Sequence, residues 1–146
     1  MTDPISVTAS IIGITAAGIK LSRELYTICD TIGSSQAQIE DLACDLASFT
    51  SIVNELEAIF KSPKPIHSDA LKKSLSDVLD KCRSLFQKIN RMIGRTESEG
   101  ESTVRLKTRV AWVFRETKVR PIRASLESTK QTLGLMLHTL KFAADE

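Results

Sequence analysis

The chain has 146 residues, enough for one domain that buries roughly 70% of its unfolded-chain surface. Its 42% hydrophobic and 26% charged content argues against bulk disorder and against a polytopic membrane protein. A net charge of +2 does not by itself point to nucleic acid, and few aromatics among many Leu, Ile, Ser and Ala favour helices packed by aliphatic side chains over a β-sandwich.

Asp3-Pro4 is a helix start: Asp3 can cap free amides, and Pro4 suits the first helical position, where its missing N–H costs nothing. From Ile5 to Ile19 the chain then carries no charge and nothing more polar than Ser or Thr. A helix at a bundle surface normally keeps a polar stripe for water. Here the stripe could only be Ser6, Thr8, Ser10 and Thr15, hydroxyls that a helix can hide on its own carbonyls. Ala9, Gly13 and Ala17 add a small-residue line at four-residue spacing. Such a helix is expected either at a crowded core or in a membrane, where small residues let helices approach closely. Its opening Met-Thr-Asp-Pro lacks the basic start of a secretory leader. About fifteen apolar residues span roughly 22 Å, short of a ~30 Å hydrocarbon core, so conditional insertion is expected rather than a constitutive anchor. Leu21, Leu25, Ile28 and Ile32 continue the helix with one apolar face until Gly33-Ser34-Ser35 breaks it.

A second helix is expected from about Ser35 to Phe60, with Ile39, Leu42, Leu46, Phe49, Val53, Leu56 and Phe60 alternating spacings of three and four. Pro63 and Pro65 close it. Ser68 or Asp69 caps a third helix whose seam is Leu71, Leu75, Val78, Cys82, Leu85, Ile89 and Met92, followed by an acidic loop over 95–103. A shorter helix from about Thr103 to Thr117 holds Val104, Val110, Trp112, Val113 and Phe114. Pro121 marks a break or a first helical turn, and a last helix to about Phe142 carries Ile122, Leu126, Thr129, Leu133, Met136, Leu137 and Leu140. The fold class is therefore all-α: a single domain over 1–146, an antiparallel bundle of four to five helices with a hydrophobic N-terminal helix over 1–33. Connections of five to ten residues suit neighbouring helices.

Chemical motifs are missing. There is no phosphate loop, no HExxH, no paired His and Cys ligands and no credible Ser-His-Asp set, so no catalytic residue, cofactor or metal is expected and the chain does not read as an enzyme. His67 lies in a proline turn and His138 beside Leu137, positions that suit solvated side chains. Cys29, Cys44 and Cys82 all fall at or beside apolar helical positions and are expected as reduced, buried thiols. Asp41 and Asp45, four apart, read as solvated surface. Charge is concentrated in one place. Arg105, Lys107, Arg109, Arg115, Lys118, Arg120 and Arg123 face one acid, Glu116, a net +6 that leaves −4 for the rest of the chain. A polybasic patch of this kind gains about 1 kcal/mol per Lys or Arg near an anionic leaflet. Stacking aromatics interleaved with the cations, as a nucleic-acid surface would need, are missing.

The opening Asp3-Pro-Ile-Ser-Val-Thr-Ala-Ser-Ile-Ile-Gly-Ile-Thr-Ala, with Leu21…Leu25-Tyr26, resembles the start of the fungal HeLo-like domains that head STAND (NACHT-type, NLR-like) immune receptors. Leu106…Trp112…Lys118-Val119…Leu126-Glu127…Lys130…Leu133-Gly134-Leu135-Met136-Leu137 resembles the Trp-bearing and closing helices of the same family. The similarity covers almost the full chain. It implies a bundle related to HeLo cell-death domains, to mixed lineage kinase domain-like protein and to plant coiled-coil immune domains. It also implies a cell-death effector of fungal immunity and heterokaryon incompatibility, cytoplasmic when inactive and at the plasma membrane on activation. An upstream NLR or amyloid-signalling protein would trigger homo-oligomerisation, and the N-terminal helix would then permeabilise the membrane. Mapped onto this chain, Ile5, Val7, Ile11, Ile12, Ile14 and Ile19 become the inserting residues and Ala9, Gly13 and Ala17 the packing stripe. The seven cations from Arg105 to Arg123 become contacts for anionic membrane lipids. The alternative is a soluble interaction or regulatory module of such a receptor, with no lipid contact.

Overall fold

A computed structural model describes residues 4–32, 36–61, 69–96 and 102–144. Over these residues the chain forms five helices and no strand: α1 Pro4–Ile32, α2 Ala37–Phe60, α3 Asp69–Gly94, α4 Thr103–Val113 and α5 Glu116–Ala144. The Asp3 cap, the Gly33-Ser34-Ser35 break, the proline connection with Ser68, and most of the acidic loop lie outside the described residues. The all-helical bundle expected from the periodicity is the fold.

The three-four seams become the core almost residue for residue. Ile39, Leu42, Leu46, Phe49, Val53 and Leu56 of α2 are buried, as are Leu75, Val78, Cys82, Leu85, Ile89 and Met92 of α3. Phe60 and Leu71, at the helix ends, are only half-buried. α5 contributes Ile122, Leu126, Leu133, Leu137 and Leu140, and α1 contributes Leu21, Leu25, Cys29 and Ile32 from its second half. Phe49 and Phe86 meet edge-to-face across the middle, their ring centroids 5.7 Å apart.

The order of neighbours does not follow the order in sequence. α1 packs against α2 and α3, and α5 packs against the same two, so α2 and α3 stand at opposite corners although they are consecutive. α1 and α2 run antiparallel: Tyr26 Oη lies 3.7 Å from Cys44 Sγ, while Gly18 faces Thr50 further along. α2 and α5 run parallel. Arg123 bonds Asp45, Lys130 bonds Ser48 and Lys141 bonds Glu55, both partners advancing together along the two helices. Connection length could not give this pairing, because α4 is interposed before α5 begins.

The break expected at Pro121 falls earlier. α4 closes at Phe114, whose N–H donates to the Val110 carbonyl at 2.9 Å, and Arg115 accepts the first amides of α5 from Lys118 and Val119. Pro121 then sits inside α5. It forfeits only the bond to the Thr117 carbonyl, in an exposed second turn where water can take that acceptor. One of the three cysteines also differs from expectation. Cys29 and Cys82 are buried, and burial pushes the Cys82 thiol up to about 12, whereas Cys44 is exposed beside Tyr26.

α1 approaches α2 tightly at Gly18, whereas Gly13 on the small-residue line is not crowded. A Cβ at Gly18 would collide with Thr50 Oγ1, and that hydroxyl cannot swing away without losing its 2.7 Å bond to the Leu46 carbonyl. A Cβ at Gly13 meets nothing within 4 Å. Gly18→Ala is therefore expected to cost about 1 to 3 kcal/mol by overpacking. Gly13→Ala should instead stabilise by about 0.5 to 1 kcal/mol through helix propensity. Paired denaturant melts check the opposite signs.

Candidate functional site

The first half of α1 is built from residues that face both ways. Val7, Ile11 and Ile14 are fully buried against the bundle. Thr15 joins them, and its hydroxyl donates to the Ile11 carbonyl at 2.9 Å, the self-bonding that lets a Thr enter an apolar interface. Ser10 is tied instead to α3, accepting a hydrogen bond from the Arg83 guanidinium, which also pairs with Asp80. On the outward side Ile12 and Ile19 are 41% and 43% exposed, with Ala9, Gly13 and Ala16 exposed around them. Ile5 lies in α1, but its side chain is outside the described residues.

The small-residue stripe thus does not fill a crowded centre in this fold. Ala9 and Gly13 face out, and only Ala17 packs, half-buried, against the core. Gly13 and Ala17 instead line an open cleft of about 380 Å³ between α1 and α3, floored by Ile14, Leu21 and Phe86 and rimmed by Lys20 and Arg83. No described helix is long and apolar enough to cross a membrane.

The basic stretch is divided by the fold rather than gathered. Arg123 is half-buried and spans α5 to α2, its Nε 2.6 Å from Asp45 Oδ2 and its Nη1 3.5 Å from Asp41 Oδ2. The bond to Asp45 raises the pKa of this guanidinium further, so it stays charged and clamped. Asp41 and Asp45, which read as free surface in the sequence, are the two jaws of that clamp. Their four-residue spacing could have suggested it, but the partner lies 78 residues away, beyond what local pattern can find. Arg120 pairs with Glu116 one turn back, and Arg109 sits half-buried on the inner side of α4. Arg115 lies over the Trp112 ring, its guanidinium carbon 4.1 Å from the ring centroid. Arg105, Lys107 and Lys118 are exposed and form no ion pair among the described residues.

Trp112 departs most from the sequence reading. Counted among the apolar residues of its helix, it is 69% exposed, and Val104 on the same helix is 75% exposed. Leu106, Val110, Val113 and Phe114 take the inner side instead. Sequence reasoning missed Val104 and Trp112 as surface residues, although the cations interleaved with them were a signal that this short helix has a broad outer face.

These features define a class: a helical bundle whose distinctive chemistry is apolar and cationic surface. The chain belongs to the PigL N-terminal family, named for the pigment biosynthesis cluster protein PigL, and the match runs over residues 2–146. No curated protein and no solved structure matches it.

Proposed function

We propose that this bundle is a membrane-directed cell-death effector, whose α1 leaves its place and enters an anionic bilayer when copies assemble. One observation carries the reading. The helix from Pro4 to Ile19 buries Val7, Ile11 and Ile14 and yet presents Ile12, Gly13, Ala16 and Ile19 to solvent, with no charge on either side. A permanent surface helix has no use for an apolar outer face. The resemblance of the opening and closing segments to HeLo-like domains supports the same reading. The apolar stretch is roughly 22 Å long against a ~30 Å hydrocarbon core, so the proposal is a cooperative perturbation by several copies that thins or perforates the bilayer. The domain then rests in the cytoplasm, moves to the plasma membrane on a signal from an NLR-like or amyloid-signalling protein, and performs no enzymatic reaction.

A second reading has its own observation. Leu135 and Phe142, two turns apart on α5, are largely exposed, an apolar line that a protein partner would cover. Dye release from phosphatidylserine-containing vesicles separates the readings. The effector reading expects release that rises steeply with protein concentration. It also expects release to weaken with salt as the Debye length falls from about 10 Å at 0.1 M to about 3 Å at 1 M. A bundle that leaves such vesicles intact at every concentration would favour the docking module.

A further inference from the structure

We infer that α4, with the turn that follows it, is a docking surface for anionic bilayers, distinct from the apolar half of α1. The inference takes its partner class from the membrane-directed reading, but it rests on other residues and predicts a separate step.

The layout of α4 carries it. With about 100° per residue, Val104, Thr108 and Ala111 fall together at the middle of the outer face, and Trp112 lies to one side. Lys107 then falls at one edge of this strip and Arg105 at the other. All six are exposed. An apolar strip bearing a Trp and flanked by cations is what a helix needs to lie in a headgroup region: the indole sits at the apolar boundary and the cations reach phosphates on both sides. Arg115 adds a cation against the face of Trp112, and Lys118 extends the charge into the first turn of α5. The charge complementarity is selective. Of the seven cations in the stretch, Arg120 and Arg123 are committed to acids of the bundle, while Arg105, Lys107 and Lys118 have no acid partner among the described residues. An anionic leaflet supplies the missing counter-charge.

Position makes docking and insertion separable. Arg123 meets Asp41 and Asp45 near the start of α2, where Tyr26 of α1 meets Cys44. The junction of α4 and α5 therefore lies at the end of the bundle where α1 finishes, and the Ile-rich half of α1 lies towards the other end. A bundle held by α4 keeps its first α1 turns away from the lipid until they are released.

Trp112 is the only tryptophan, so its emission reports the surface directly. Vesicles of phosphatidylcholine with phosphatidylserine should shift the emission to the blue, and brominated acyl chains should quench it. Phosphatidylcholine alone should do neither. Replacing Arg105, Lys107 and Lys118 together by Gln should weaken binding about a hundredfold. Circular dichroism should stay unchanged, because all three are exposed. Gly13→Glu should still shift the emission on anionic vesicles, because docking through α4 does not require insertion of α1. Emission that stays unshifted while the vesicles leak would overturn the docking surface and leave the α1 reading standing. A full shift without leakage would do the reverse. Equal binding to neutral and anionic vesicles, or no binding to either, would also overturn it.

Discussion

Gly13→Glu is expected to abolish vesicle leakage while leaving the bundle folded. Position 13 is on the outer face of α1, and the space where a side chain would start is open to 4 Å. A carboxylate there stays in water in the resting fold, and replacing a helical Gly offsets part of any cost. In a lipid-inserted helix the same carboxylate sits mid-segment, at a penalty of about 2.5 to 3.5 kcal/mol on insertion scales. That penalty corresponds to a loss of roughly a hundredfold or more in the inserted population. Ala17→Glu is a poorer probe, because Ala17 is half-buried against the core and its substitution would damage folding as well. Circular dichroism and a thermal melt run beside the leakage assay should show a parent-like fold with lost activity. Undiminished leakage by folded Gly13→Glu would remove this helix from the mechanism.

Leu25→Ala should act in the opposite direction. Leu25 is fully buried in the second half of α1, the half that the proposed function keeps as a tether. Truncation is expected to cost about 2 to 5 kcal/mol, transfer and cavity together. For a domain of this size that lowers the melting temperature by about 5 to 20 °C. Because the lost packing holds α1 to its neighbours rather than forming the inserting segment, the variant should also oligomerise and bind vesicles at lower concentration than the parent. Calorimetry, size-exclusion chromatography and leakage on one preparation check all three. A variant that melts early but stays monomeric and inert towards vesicles would count against a releasable α1 and favour the docking module.

What the sequence made legible follows from what periodicity reports. A three-four alternation such as Leu42-Leu46-Phe49-Val53 is the direct image of one buried helix face, and the structure buries those residues. Periodicity says nothing of which helix lies alongside. The parallel pairing of α2 with α5 and the Arg123 clamp on Asp41 and Asp45 were therefore invisible, although each residue had been singled out for its charge. Periodicity is equally silent on where helices come close in the resting fold. Spacing placed Ala9, Gly13 and Ala17 on one line, but close approach needs a partner, and in the resting fold the Thr50 side chain crowds Gly18 while nothing crowds Gly13. α4 was the least legible element. In eleven residues with apolar and basic types interleaved, the inner face is a matter of two or three positions, and Trp112 fell outside it.

The central claim is that the first half of α1 exchanges the bundle for the bilayer, and a reporter at position 13 tests it most directly. Gly13→Cys in a Cys44→Ser background offers one exposed thiol, since Cys29 and Cys82 are buried and Cys82 has a pKa of about 12. An environment-sensitive dye on that thiol should read water in the free protein. With phosphatidylserine-containing vesicles it should shift to the blue and be quenched by nitroxides placed on the acyl chains. A dye that remains in water and unquenched while Trp112 reports a docked protein and the vesicles leak would contradict the account.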